Sequence, residues 1–135
     1  MNINKNENII GICALFVHAA KIDENYTDKE KKIILDYIKI QNIDNLEADK
    51  ILIKSEKIEA DSNQLINYTN IIKKNSEKDK ANIIEQLWKI LISDNSVDQY
   101  ESNLMRRICG LIYFSDKLSG EIKLKILDKK NDIHS

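Results

Sequence analysis

Two stretches of the chain are written almost alike: DENYTDKE, from Asp23 to Glu30, and DNSVDQYE, from Asp94 to Glu101. Each opens on Asp and closes on Glu. Each places an apolar or aromatic residue fourth (Tyr26, Val97) and a good helix-capping residue fifth (Thr27, Asp98). Thr27 with Glu30 spells a capping box, T-x-x-E, and Asp98 with Glu101 spells its acidic counterpart. An octet of this kind predicts the end of one helix, a short acidic loop and the start of another.

The offset of 71 that separates Asp23 from Asp94 continues on both sides of the octets. Upstream it carries Ile12, Cys13, Phe16, Val17, Ala19 and Ala20 onto Ile83, Ile84, Leu87, Trp88, Ile90 and Leu91. Downstream it carries Ile33, Ile34, Tyr37 and Ile38 onto Leu104, Met105, Ile108 and Cys109. Apolar residues fall on apolar residues at steps of three and four, the period of one helix face. The sequence therefore predicts an all-α, single-domain bundle built on a duplicated helical hairpin. Further N-caps at Asp44, Asp61, Ser76 and Ser115 divide the chain into about seven helices: 7–22, 27–41, 45–60, 63–74, 77–93, 99–113 and 116–127. The helix over 77–93 is apolar around most of its circumference and belongs at the centre. The one over 7–22 is its twin, with Ala14, Ala19 and Ala20 permitting close contact. The helix over 45–60 reads as amphipathic and peripheral.

Composition agrees. The chain has 135 residues, enough for one domain with a sizeable core. It has no Pro and three Gly, which disfavours a β-rich fold. Charged residues make up 32% with a net charge of −1, which argues against a general nucleic-acid binder. Cys13 and Cys109 show no metal-site spacing and read as reduced core residues. The apolar run IIGICALFVHAA, from Ile9 to Ala20, has the look of a leader peptide, but its pattern recurs inside the chain. It reads as a buried helix of a cytoplasmic protein.

The stretches ALFVHAAKIDENYTDKEKKIILDYI and IIEQLWKILISDNSVDQYESNLMRRICGLIYFSD carry a family resemblance. A mostly apolar helix, an Asp, a short acidic loop and a capped helix, repeated about 70 residues on, resembles the TerB (tellurite-resistance B) fold of bacterial proteins. It is also similar to the N-terminal part of the membrane co-chaperone DjlA. The resemblance implies a TerB-like domain over residues 1–127, with 128–135 expected as a frayed tail. It further implies a non-enzymatic, stress-associated module with protein partners, associated peripherally with the inner face of a membrane through them. One departure matters: the family writes Asp-Gly at the start of each octet, where this chain has Glu24 and Asn95. Asn tolerates the left-handed backbone that Gly favours better than Glu does, so the Asp23 loop is expected to differ more from the family pattern than the Asp94 loop.

Two readings of the octets are open. In the structural one, Asp23 and Asp94 close a turn, Thr27 and Asp98 cap a helix, and Glu30 and Glu101 complete the caps. In the functional one, packing of the duplicated hairpins brings Asp23, Glu30, Asp94, Asp98 and Glu101 together around a divalent cation, Ca²⁺ or Mg²⁺ before Zn²⁺, because the donors are hard oxygens. Other candidates are weaker. His18 reads as a packed or half-exposed side chain, Arg106 and Arg107 as members of surface ion pairs before an anion clamp, and Trp88 as a core anchor whose N–H needs a partner. No nucleophile–base pair or phosphate loop is present, so an enzyme is not expected. The alternative function is an interaction scaffold, for which an exposed apolar stripe on the helix over 45–60 or the one over 116–127 would speak.

Overall fold

The computed structural model describes residues 5–22, 26–41, 43–62, 64–92 and 99–134. Among the described residues there are seven helices and no strand: α1 (Lys5–Ile22), α2 (Asp28–Ile40), α3 (Asn45–Asp61), α4 (Leu65–Ile72), α5 (Glu77–Ile92), α6 (Gln99–Ile112) and α7 (Asp116–His134). The order and nearly all boundaries follow the cap signals. Thr27 donates its backbone N–H to Glu30 Oε1 at 2.9 Å, closing the capping box of α2. Asp44 Oδ1 accepts from the Glu47 N–H at 2.8 Å, Ser76 Oγ from Asp79 at 3.1 Å and Ser115 Oγ from Leu118 at 3.2 Å. Each satisfies one amide that the first helical turn leaves over.

One expectation needs correction. Asp61 does not cap α4: it is the last residue of α3, and α4 begins after Gln64, which makes no side-chain cap. Tyr68 of α4 closes the gap instead, its hydroxyl donating to the carbonyls of Glu59 and Ser62 at the end of α3. α7 runs as far as His134. After Gly120 nothing in it breaks a helix, and Ile126 and Leu127 pack against the core.

The repeat is larger than a hairpin. α3 and α7 begin on caps that are also 71 apart, Asp44 and Ser115, and their inner faces correspond: Ala48 with Ser119, Ile51 with Ile122. α3 packs on α1 as α7 packs on α5, and α1 packs on α5 between the two halves. The unit is thus three helices, α1–α2–α3 and α5–α6–α7, with α4 inserted between them. α4 breaks the symmetry. α2 lies directly on α5, but its twin α6 meets α4, which itself lies on α1. Gly11 allows that approach, since a Cβ there would stand 2.5 Å from the δ-carbon of Ile71.

The core runs along the α1–α5 contact. Ile12 to Val17, Ala19 and Ala20 are buried on α1; Ile83, Ile84, Leu87, Trp88, Ile90, Leu91 and Ile92 are buried on α5. Trp88 is the anchor expected, and its indole N–H donates to Ser119 Oγ at 3.0 Å. Phe16 meets Tyr37 edge-on at 5.1 Å. α3 is less simply amphipathic than its composition suggests. Its inner face is Ala48, Ile51, Leu52, Ser55 and Glu59, while Leu46 and Ile53 stand 77% and 63% exposed. Among the described residues no helix is long and apolar enough to cross a membrane.

α6 ends in a Schellman motif: the Phe114 N–H bonds the Cys109 carbonyl at 2.9 Å and the Tyr113 N–H the Gly110 carbonyl. Tyr113 holds the left-handed position, φ 60°, where a Cβ costs energy. Tyr113→Gly should therefore stabilise the fold by about 0.5–1 kcal/mol. Ser119→Ala should cost about 1–2 kcal/mol by stranding the buried Trp88 N–H. Urea unfolding with an unchanged m-value measures both.

Candidate functional site

The acidic octets sit at equivalent places, each between the first and second helix of its three-helix unit. Of the five candidate ligands, the described residues include Glu30 and Glu101; Asp23, Asp94 and Asp98 lie outside them. Glu30 is the third residue of α2 and Glu101 stands in the first turn of α6. Both are inside the protein, 2% and 3% exposed. Glu30 Oε1 receives the Thr27 amide and hydroxyl, so the structural role expected of the first octet is present. Among the described residues no three of the His, Cys, Asp and Glu side chains are grouped to hold a metal.

The first octet is tied to α3. Tyr26, its fourth residue, donates its hydroxyl to Glu56 Oε2, and the Lys31 ammonium stands 3.8 Å from the same carboxylate and 5.2 Å from the Tyr26 ring centre. Burial and the Glu56 carboxylate both push the Tyr26 phenol pKa up, so it stays a donor. One turn on, Glu59 takes Lys21 Nζ at 2.7 Å and lies 3.0 Å from His18 Nδ1. Burial alone would raise the Glu59 pKa. Hydrogen bonds from Lys21 and His18, with their charges, outweigh it and hold the carboxyl below its ordinary range. An ionised Glu59 requires the hydrogen of the His18 ring to sit on Nδ1. Sequence reasoning missed this cluster. His18 and Lys21, three apart, share a face at the end of α1, but Glu59 is 41 residues from His18 and only the packing of α3 on α1 brings it there.

Neither arginine behaves as expected. Arg106 and Arg107 are exposed, and among the described residues neither makes an ion pair. Arg106 lines a shallow cavity beside Trp88 and Asp116. Arg107 lines a larger cleft, about 590 Å³, that His18 reaches from α1. The two cysteines are buried and free. Burial pushes the Cys13 thiol well above its ordinary value and the Cys109 thiol to about 11, so neither offers a thiolate as nucleophile or soft metal ligand.

A family model described as tellurite resistance protein TerB matches residues 10–124 of the chain. No curated protein and no solved structure matches it.

The Glu59 cluster makes a pH-dependent prediction. Glu59→Gln should lower stability at pH 7 by roughly 2 kcal/mol, the worth of hydrogen bonds to a charged group. A carboxyl whose folded pKa is depressed contributes above its unfolded value, about 4.3, and loses that contribution as pH falls through the folded value. The gap between wild type and variant should therefore be full at pH 6–7 and close progressively below about pH 4. Chemical denaturation across that range measures it.

Proposed function

The chain belongs to the TerB family, and on that premise we propose a non-enzymatic, tellurite-resistance-type stress module of the cytoplasm that holds a divalent cation at its paired acidic octets. The observation that carries this reading is the burial of Glu30 and Glu101 at equivalent positions of the two repeats. Glu30 closes the α2 capping box from inside the protein, with two donors from Thr27, and Glu101 holds the equivalent place in the second repeat. A cation between the two loops would meet the negative charge that both carboxylates carry into the interior. Asp23, Asp94 and Asp98 would supply the remaining oxygens. The donors suit a hard ion, Ca²⁺ or Mg²⁺. A softer ion has little to bind, because both cysteines are buried as thiols and His18 is engaged by Glu59. A net charge of −1 offers no general affinity for nucleic acid.

A second reading has its own support. Leu46 and Ile53 lie two turns apart on the outer face of α3, and Leu118 and Leu124 are exposed on α7. Exposed aliphatic side chains on these two helices favour an interaction scaffold with a protein partner, through which the module would reach a membrane surface.

Thermal melts of metal-stripped protein with Ca²⁺, Mg²⁺, Mn²⁺ or Zn²⁺ separate the two. An ion at ~100 times its dissociation constant adds about 2.7 kcal/mol to the folded state, several degrees for a domain of this size. The shift should appear with Ca²⁺ or Mg²⁺ and vanish in Asp94→Ala/Glu101→Ala. Asp23→Ala should weaken it less, since Glu24 replaces the usual glycine beside it. No shift at millimolar ion would leave the octets as helix caps and the scaffold reading in their place.

A further inference from the structure

The cleft that Arg107 and His18 share lies where α4 breaks the symmetry of the two repeats. Its walls come from three helices: Ile22 on α1, Leu65 on α4, Leu104 and Leu111 on α6. At about 590 Å³ it falls within the range of small-molecule sites. Among the described residues no carboxylate lines it, and Arg107 is the one permanently charged side chain there. Among the described residues that guanidinium makes no ion pair, so its five donors are available to a ligand. The His18 ring is held against α3 through Nδ1, at 3.0 Å from Glu59, which leaves Nε2 as the nitrogen able to meet a ligand.

The other repeat shows that these features are not imposed by the fold. Arg107 occupies the place of Asp36, a residue that is simply paired with Lys32 on the surface at 2.9 Å. The place of His18 is taken in the second repeat by Lys89, which pairs with Glu85 along its own helix. Among the described residues, the apolar walls, the arginine and the fixed imidazole occur together on the side where α4 intervenes and not at the equivalent place of the other repeat.

We propose that the α1–α4–α6 cleft binds a small amphipathic carboxylate, a fatty-acid-like molecule whose headgroup meets Arg107 and whose chain lies against Ile22, Leu65, Leu104 and Leu111. Guanidinium and carboxylate match in geometry as well as charge. A concave site of this volume with one cation suits a compact ligand. A docked helix would need a longer groove with several anchor points. The inference uses none of the octet residues, so it stands or falls separately from the cation reading.

The test is a titration of the full chain with decanoate, followed by NMR of the Ile and Leu methyl groups and the arginine Nε–H signals. Saturable shifts should centre on Ile22, Leu65, Leu104, Leu111 and Arg107, and decanol should bind more weakly. Arg107→Gln should weaken decanoate about ten-fold or more, the worth of a charge-assisted contact. Arg106→Gln removes the same charge from the neighbouring position and should change affinity by less than about two-fold. Both arginines are exposed and, among the described residues, make no ion pair, so both variants should melt like wild type. The proposal is overturned if millimolar decanoate gives no saturable shift or if the shifts centre on Leu46 and Ile53. Equal losses in the two variants, or equal binding of decanol and decanoate, would also overturn it.

Discussion

The architecture follows from the need to bury α1. Its residues from Ile12 to Val17 face inward on every side, and a helix apolar around its circumference must be surrounded. Four helices do this: α2, α3, α4 and α5 all pack on it. α5 carries the same burden and is covered by α1, α2, α6 and α7. Each fully buried Leu, Ile or Phe is worth roughly 2–3 kcal/mol, so these two helices supply much of the drive to fold. The remaining helices are amphipathic covers.

That central contact also explains the polar chemistry around it. His18 and Lys21 end a helix that is otherwise committed to the core, and α3 brings their acceptor to them. That acceptor is Glu59, and one turn earlier Glu56 fastens Tyr26 and Lys31 of the next helix start. Two glutamates three apart on α3 thus hold the corner from which the first acidic octet departs. The burial of Glu59 is compatible with charge because donors meet it, which is the condition under which a buried carboxylate persists.

Duplication and its interruption have separate consequences. Symmetry places Glu30 and Glu101 in equivalent, buried positions, and an equivalent pair of carboxylates is the basis of the cation reading. Asymmetry, introduced by the eight residues of α4, keeps α6 off the place on α1 that α2 occupies on α5. The cleft with Arg107 lies on that side. One domain therefore presents an acidic feature that belongs to both repeats and a basic, apolar feature that belongs to one.

The helix count, the order of the elements and the core faces of α1, α2, α5 and α6 were legible in the sequence. They rest on local rules: a 3.6-residue period of apolar residues, and Ser, Thr or Asp placed where the first amides of a helix need an acceptor. The repeat was legible for the same reason, and its third helix was within reach in the spacing of Asp44 and Ser115. The side of α3 that turns inward was not legible. Leu46 and Ile53 are apolar and face outward, while Ser55 and Glu59 are polar and buried, because their surroundings are set by α1 rather than by their own helix. The pairing of Glu59 with His18 and Lys21 and the cleft beside Arg107 belong to tertiary structure for the same physical reason. Each depends on residues distant in the chain that meet only when separate helices pack, and no local period or cap records that meeting.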